Sequence, residues 1–152
     1  MSINQLKRVE KPWGHEDWLE LNGRYCMKRI VMKAGARSSL QYHEKKYETN
    51  VVIEGELELH LENDQGEMEV HHLKAGDHFT VKPPRKHRVV ALTDAVHVEA
   101  STPEVEDVIR IQDDSGRGDG RIEGEHREGN RKTKWPRRRE NGIRKRGGRE
   151  SP

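Results

Sequence analysis

An all-β fold, an antiparallel barrel or sandwich, is what this sequence predicts, and three observations carry the prediction. Short apolar and β-branched runs recur between turn signals along the chain up to Pro103. Glu56–Glu62 alternates with a period of two, placing Leu57, Leu59 and Leu61 on one face and Glu56, Glu58, His60 and Glu62 on the other. No amphipathic helical pattern stands before Pro103. Short strands at regular turn spacing are the mark of barrels and sandwiches.

In chain order, Met1–Lys11 is polar and reads as a short arm, and Pro12-Trp13-Gly14 as a turn. Trp18–Leu21 is a first strand, Asn22-Gly23 a two-residue hairpin signal, and Tyr25–Lys33 the returning strand. Gly35 breaks it. Ser38–His43 forms the next strand, closed by the charged turn Glu44–Lys46, and Glu48–Ile53 follows up to the bend at Gly55. Asn63–Gly66 joins Glu56–Glu62 to a return strand, Met68–Leu73. After the turn Ala75–Asp77, strands are expected near His78–Val81, His87–Thr93 and Val96–Ser101. Glu104–Ile111 fits either a short helix or a closing strand.

The net charge of +2 over 152 residues averages two unlike segments. Gly118–Pro152 holds 12 Lys/Arg against 6 Asp/Glu and only Ile122, Trp135 and Ile143 as large apolar groups. It is predicted to be a disordered tail, leaving residues 1–117 as a single folded domain with a net acidic balance. Arg131, Lys132, Lys134 and Arg137–Arg139 crowd around Trp135, an arrangement that attracts nucleic-acid phosphates and offers a stacking surface. The interspersed acidic residues and the lack of a nucleic-acid-binding fold favour a solubilising extension instead. Cys26 is the only cysteine, which excludes an intrachain disulfide. No run of about 18 apolar residues offers a membrane span, and Met1–Lys11 lacks the apolar core of a signal peptide, so a cytoplasmic protein is expected.

Chemistry concentrates in Gly35–Gly55, which carries Gln41, His43 and Glu48, with His87 further on in KPPRKHRVV. One amide oxygen, two imidazoles and one carboxylate suit a borderline divalent metal, with zinc the first expectation and Mn, Fe, Co or Ni also compatible. Gln41 and His43, two apart, share a strand face. His43 and Glu48 are an odd step apart, and the intervening turn resets the parity so that both can face one cavity. The adjacent His71 and His72 point to opposite faces and cannot chelate together.

These spacings resemble the cupin family. Its first motif, Gly-x5-His-x-His-x3–4-Glu-x6-Gly, is followed from Gly35 to Gly55 with Gln41 at the first His position. Its second, Gly-x5-Pro-x-Gly-x-x-His, keeps its count from Gly76 to His87, with Lys82 and Pro84 departing from it. The Gln-x-His variant, with KPWG (Lys11–Gly14), AGARSSLQYH (Ala34–His43), KHR (Lys86–Arg88) and VIRIQDDSGR (Val108–Arg117), is similar to the C-terminal cupin domain of type II mannose-6-phosphate isomerases. Glu44, Lys45 and Asn50 depart from that family, which often has further histidines after the metal His and an aromatic two residues after the metal Glu.

The resemblance implies a cupin jelly roll over residues 1–117 that dimerises, with Gln41, His43, Glu48 and His87 holding one divalent metal. It implies a metal-dependent isomerase interconverting mannose 6-phosphate and fructose 6-phosphate. Lys28, mid-strand among apolar residues, is a candidate acid/base if it points inward and a snorkelling surface lysine if it does not. Arg88 is assigned to the active site with it, as a phosphate contact beside Arg37. Arg37, Lys46 and Arg110 are candidate phosphate contacts. Two other classes stay open: a non-catalytic cupin binding a sugar phosphate or nucleotide sugar, and a metal-dependent oxygenase.

Overall fold

The structure, a computed structural model, describes residues 6–122; residues 1–5 and 123–152, with the basic cluster around Trp135, lie outside the described residues. Twelve strands form two six-stranded antiparallel sheets, and no helix occurs among the described residues. The strands are β1 (Lys7–Lys11), β2 (Gly14–Leu21), β3 (Cys26–Met32), β4 (Leu40–Tyr42), β5 (Glu48–Glu54) and β6 (Glu56–Glu62), then β7 (Met68–Lys74), β8 (His78–Val81), β9 (His87–Ala91), β10 (Ala95–Ser101), β11 (Ile109–Gln112) and β12 (Gly120–Arg121). One sheet runs β1-β2-β3-β10-β5-β8 and the other β12-β11-β4-β9-β6-β7. The expected all-β jelly roll is present.

The period-two alternation decides what the sheets enclose. Leu57 and Leu59 of β6 are buried with Ile30, Met32, Val52, Phe79, Val89 and Ala91 in one cluster. The rungs change character along the barrel. Met32 pairs with Ala95, and Ile30 with His97. The next inward rung joins Trp18, Lys28, Glu99, Asn50 and Phe79 across five strands, and the one after it Cys26, Ser101, Glu48 and Val81. One end of the interior is therefore dry and the other is lined by charge.

Two glycines are demanded by close backbone approach. A Cβ on Gly14, at φ +151°, would lie 1.9 Å from the Val31 carbonyl oxygen, and one on Gly55, at φ +79°, 2.2 Å from that of Asp94. No other residue fits either place.

Three expectations are revised. The polar segment before Pro12 is not merely an arm: Lys7–Lys11 is a strand paired along its length with β2. Its stability is polar, with Lys7 Nζ 4.0 Å from the Trp18 ring centroid and Arg8 bonded to the buried Asp17 carboxylate at 2.7 Å. Glu104–Ile111 is neither a helix nor a full strand; turns lead to Ile109, where β11 begins. The ordered chain also passes Arg117, because Gly120–Arg121 pairs with β11.

Candidate metal centre

His43, Glu48 and His87 converge at the polar end, all buried, with potential ligand atoms within 4.8 Å of one another. β4 delivers His43 at its C-terminal end, β5 opens on Glu48 and β9 opens on His87. Hydrogen bonds decide the tautomers. His43 Nδ1–H donates to the Asp107 carbonyl at 2.6 Å, and His87 Nδ1–H to the Arg85 carbonyl at 3.1 Å. Both Nε2 lone pairs are thereby left bare and turned to the same carboxylate, each 3.5 Å from a different oxygen of Glu48. His43 Nε2 is fully buried with no hydrogen-bond partner. A backbone acceptor fixing Nδ1–H is the usual support of an imidazole ligand.

The charge balance points the same way. Lys46 Nζ lies 2.9 Å from Glu48 and 2.7 Å from Glu99, so two buried carboxylates share one buried ammonium. Burial alone would raise the Glu48 carboxyl, but the Lys46 ammonium beside it holds it well below the usual range. Burial pushes His87 down to about 4, against the pull of Glu48, so its imidazole is neutral at neutral pH. Two imidazole lone pairs beside an ionised carboxylate are a donor set that a divalent cation takes. The residues fit a divalent metal.

The turn between His43 and Glu48 is held by Asp107. Its carboxylate accepts the backbone N–H groups of Glu44, Lys45 and Lys46 at 3.2, 2.6 and 3.0 Å, while its carbonyl fixes His43. Burial opposes ionisation of Asp107, yet those three donors hold its carboxyl below the ordinary value. Arg121 of β12 adds a bond to Glu44 at 2.6 Å.

The predicted site residues fall into separate groups. Gln41 is the cross-strand partner of His87, lines the same cavity, and its Oε1 accepts a hydrogen bond from Ser39 Oγ at 2.9 Å. Lys28 does point inward, 3% exposed, with Nζ 3.2 Å from Glu16 Oε2. Arg110, on the rung of Gln41, also lines the cavity. Lys46 is placed between Glu48 and Glu99 and is turned from solvent. Arg37 and Arg88 do not line the cavity; both reach Asp114, at 3.2 and 3.3 Å, because β9 alternation turns Arg88 away from His87.

Sequence reasoning missed Glu16, Asn50, His97 and Glu99, which complete the polar wall. The alternation of AVHVEAS puts His97 and Glu99 on one face with Ala95, and only the closed barrel makes that face, not the Val96–Val98 one, the inward face.

A jelly roll cradling two imidazoles and a carboxylate on these spacings defines the class as a cupin. The sequence profile of the family described as "Mannose-6-phosphate isomerase C-terminal" matches residues 2–113, and the chain belongs to that family. It is similar to mannose-1-phosphate guanylyltransferase of Escherichia coli, 32% identical over 115 residues, which cover 73% of this chain and 23% of that protein. It is also similar to alginate biosynthesis protein AlgA of Pseudomonas aeruginosa, 43% identical over 47 residues, or 31% of this chain and 10% of that one. The chain thus spans a quarter or less of these relatives' length. Among solved structures, an RmlC-like cupin from Shewanella frigidimarina matches with TM-score 0.57 and 25% identity, over 68% of this chain and 88% of that one. Oxalate decarboxylase from Bacillus subtilis matches with TM-score 0.62 and 15% identity, over 73% and 31%, a likeness of fold alone. Among the described residues no helix is long and apolar enough to cross a membrane.

Proposed function

We propose that this protein is a metal-dependent aldose–ketose isomerase acting on a hexose 6-phosphate, with mannose 6-phosphate and fructose 6-phosphate as its pair. The observation that carries the reading is the convergence of two bare imidazole nitrogens on one buried carboxylate, opening on a polar cavity in a chain of this family. Gln41, His43, Glu48 and His87 would hold the metal, whose chemistry is to polarise the sugar's C1 and C2 oxygens. Lys28 and Glu16, paired inside the cavity, form the acid/base couple, the carboxylate taking the proton from one carbon and returning it to the other and the ammonium donating to the sugar oxygen. Trp18 Nε1–H donates to the same Glu16 oxygen at 2.9 Å and keeps that pair in place. Arg110, with Lys11 and Arg117 lining the same cavity, is the contact for the phosphate. Purified protein supplied with zinc or manganese should isomerise mannose 6-phosphate, and His43→Ala should abolish the reaction; no turnover with any divalent metal would refute it.

A second reading is favoured by the guanylyltransferase names of the relatives. In it the domain binds a sugar phosphate or nucleotide sugar without converting it, beside a transferase. Calorimetric binding in the absence of turnover would select this reading over the first.

A further inference from the structure

His97 and Asn50 form a buried polar pair that belongs neither to the His43–Glu48–His87 cluster nor to the Lys28–Glu16 ion pair. They are 4% and 2% exposed, they line the cavity from adjacent strands β10 and β5, and His97 Nδ1 lies 2.8 Å from Asn50 Oδ1. The amide oxygen accepts only, so Nδ1–H is the donor. That leaves the His97 Nε2 lone pair and the Asn50 amide N–H groups as the pair's remaining valences. Placing both so deep in a barrel costs desolvation that one mutual hydrogen bond offsets only in part. An acceptor beside a donor is the complement of a hydroxyl group, which gives one hydrogen bond and takes another.

We infer that His97 and Asn50 together form a hydroxyl-reading subsite, which selects substrates by one hydroxyl on the carbon chain beyond the metal-held end. Asn50 is two residues from Glu48 on the same strand face, about 7 Å along β5. A sugar chain anchored at Glu48 therefore runs towards it. Burial keeps His97 down at about 4, so the imidazole stays neutral and its lone pair is available at neutral pH. The inference rests on the sugar-phosphate reading above.

The test is calorimetric titration of the zinc-loaded protein with mannitol 6-phosphate, an unreactive open-chain analogue, and with its singly deoxygenated forms. Wild type should lose roughly 10- to 100-fold in affinity for one deoxy form and little for the others, because a buried polar pair left unmatched rejects the analogue. His97→Leu should lose as much for the parent while no longer distinguishing that deoxy form. His97→Gln, whose amide supplies a donor to Asn50 and an acceptor to the cavity, should keep the discrimination. Zinc affinity should be equal in all three, which separates this role from damage to the metal centre. If wild type binds the parent but no deoxy form is disfavoured, or if His97→Leu discriminates as wild type does, the subsite is refuted and the sugar-phosphate reading stands. If His97→Leu does not fold, the wild-type and His97→Gln series decide. If wild type binds no sugar phosphate, both readings fall.

Discussion

Lys46 illustrates how a single side chain here serves folding and site together. Its ammonium is shared by Glu48 and Glu99 at 2.9 and 2.7 Å, and those carboxylates hold its pKa above the ordinary value despite the cost of burial. Removing the charge leaves two buried carboxylates facing each other, so Lys46→Met should destabilise by roughly 3–5 kcal/mol, in the range found when one partner of a buried pair is deleted. Urea unfolding at pH 7 measures this, and Lys46→Arg should lose much less. Gly55 offers a second comparison at this scale. Gly55→Ala meets the Asp94 carbonyl at 2.2 Å, whereas Gly35→Ala, also at φ +79°, meets nothing within 4 Å. Gly35→Ala should therefore cost only the left-handed penalty of about 1–2 kcal/mol, and Gly55→Ala clearly more by the same unfolding measurement. His43, Glu48 and His87 were legible because their spacing is set by where strands must turn. His97 and Glu99 were not, because polar residues alternating on a strand read as a solvent face until the barrel closes around them. Arg88 misled for the same reason in reverse, since adjacency to His87 in the chain means opposite faces in a strand.

At the scale of elements, β1 was illegible because Val9 is the one apolar residue among four charged ones in KRVEK. Its attachment is electrostatic: Arg8, Asp17 and Arg29 form one rung across β1, β2 and β3, with Asp17 fully buried between the two guanidinium groups. The hydrogen bonds from Arg8, and then those from Arg29, lower the Asp17 carboxyl from 3.8 to about 2, against its burial. A carboxyl whose folded value lies below its unfolded one stabilises fully above the unfolded value. That stability disappears as pH falls from about 4 to about 2, and it is on the order of 1–2 kcal/mol after screening through the half-exposed arginines. Asp17→Asn should be less stable than wild type at pH 7 and converge with it near pH 2. Amide exchange should show β1 loosening first. The turn between β4 and β5 is the complementary case, an exposed-looking charged loop fixed from a distance by Asp107. Asp107→Ala removes the acceptor of three backbone N–H groups and should weaken metal binding roughly 10- to 100-fold, as loss of a ligand's support does, with titration of zinc against a competing chelator as the readout.

For the whole molecule, the division of the barrel into an apolar end and a charged end has an energetic consequence. Leu57, Leu59, Val52 and Met32 leave water almost completely, and each such side chain contributes about 1.5–3 kcal/mol. Glu48, Asn50, Lys28 and Glu99 themselves offer little of that, and their cohesion depends on how completely charge is compensated. Jelly-roll topology was legible from strand spacing, but this division was not, because it arises only when antiparallel register brings the polar ends of β3, β5 and β10 side by side. A cation held by His43, Glu48 and His87 binds only the folded chain, so it adds stability by mass action, about 2.7 kcal/mol at one hundred times its dissociation constant. Zinc should accordingly raise Tm and a chelator lower it, while His43→Ala should respond to neither. The effect should also be local. On chelation, amides around Leu40–Glu48 and at the start of β9 should exchange faster, and those of β6 and the C-terminal half of β3 should keep their protection. Uniform loosening of both ends would show that the barrel unfolds as one unit when the metal leaves, and no difference between wild type and His43→Ala would show that the charged end is self-sufficient without a metal.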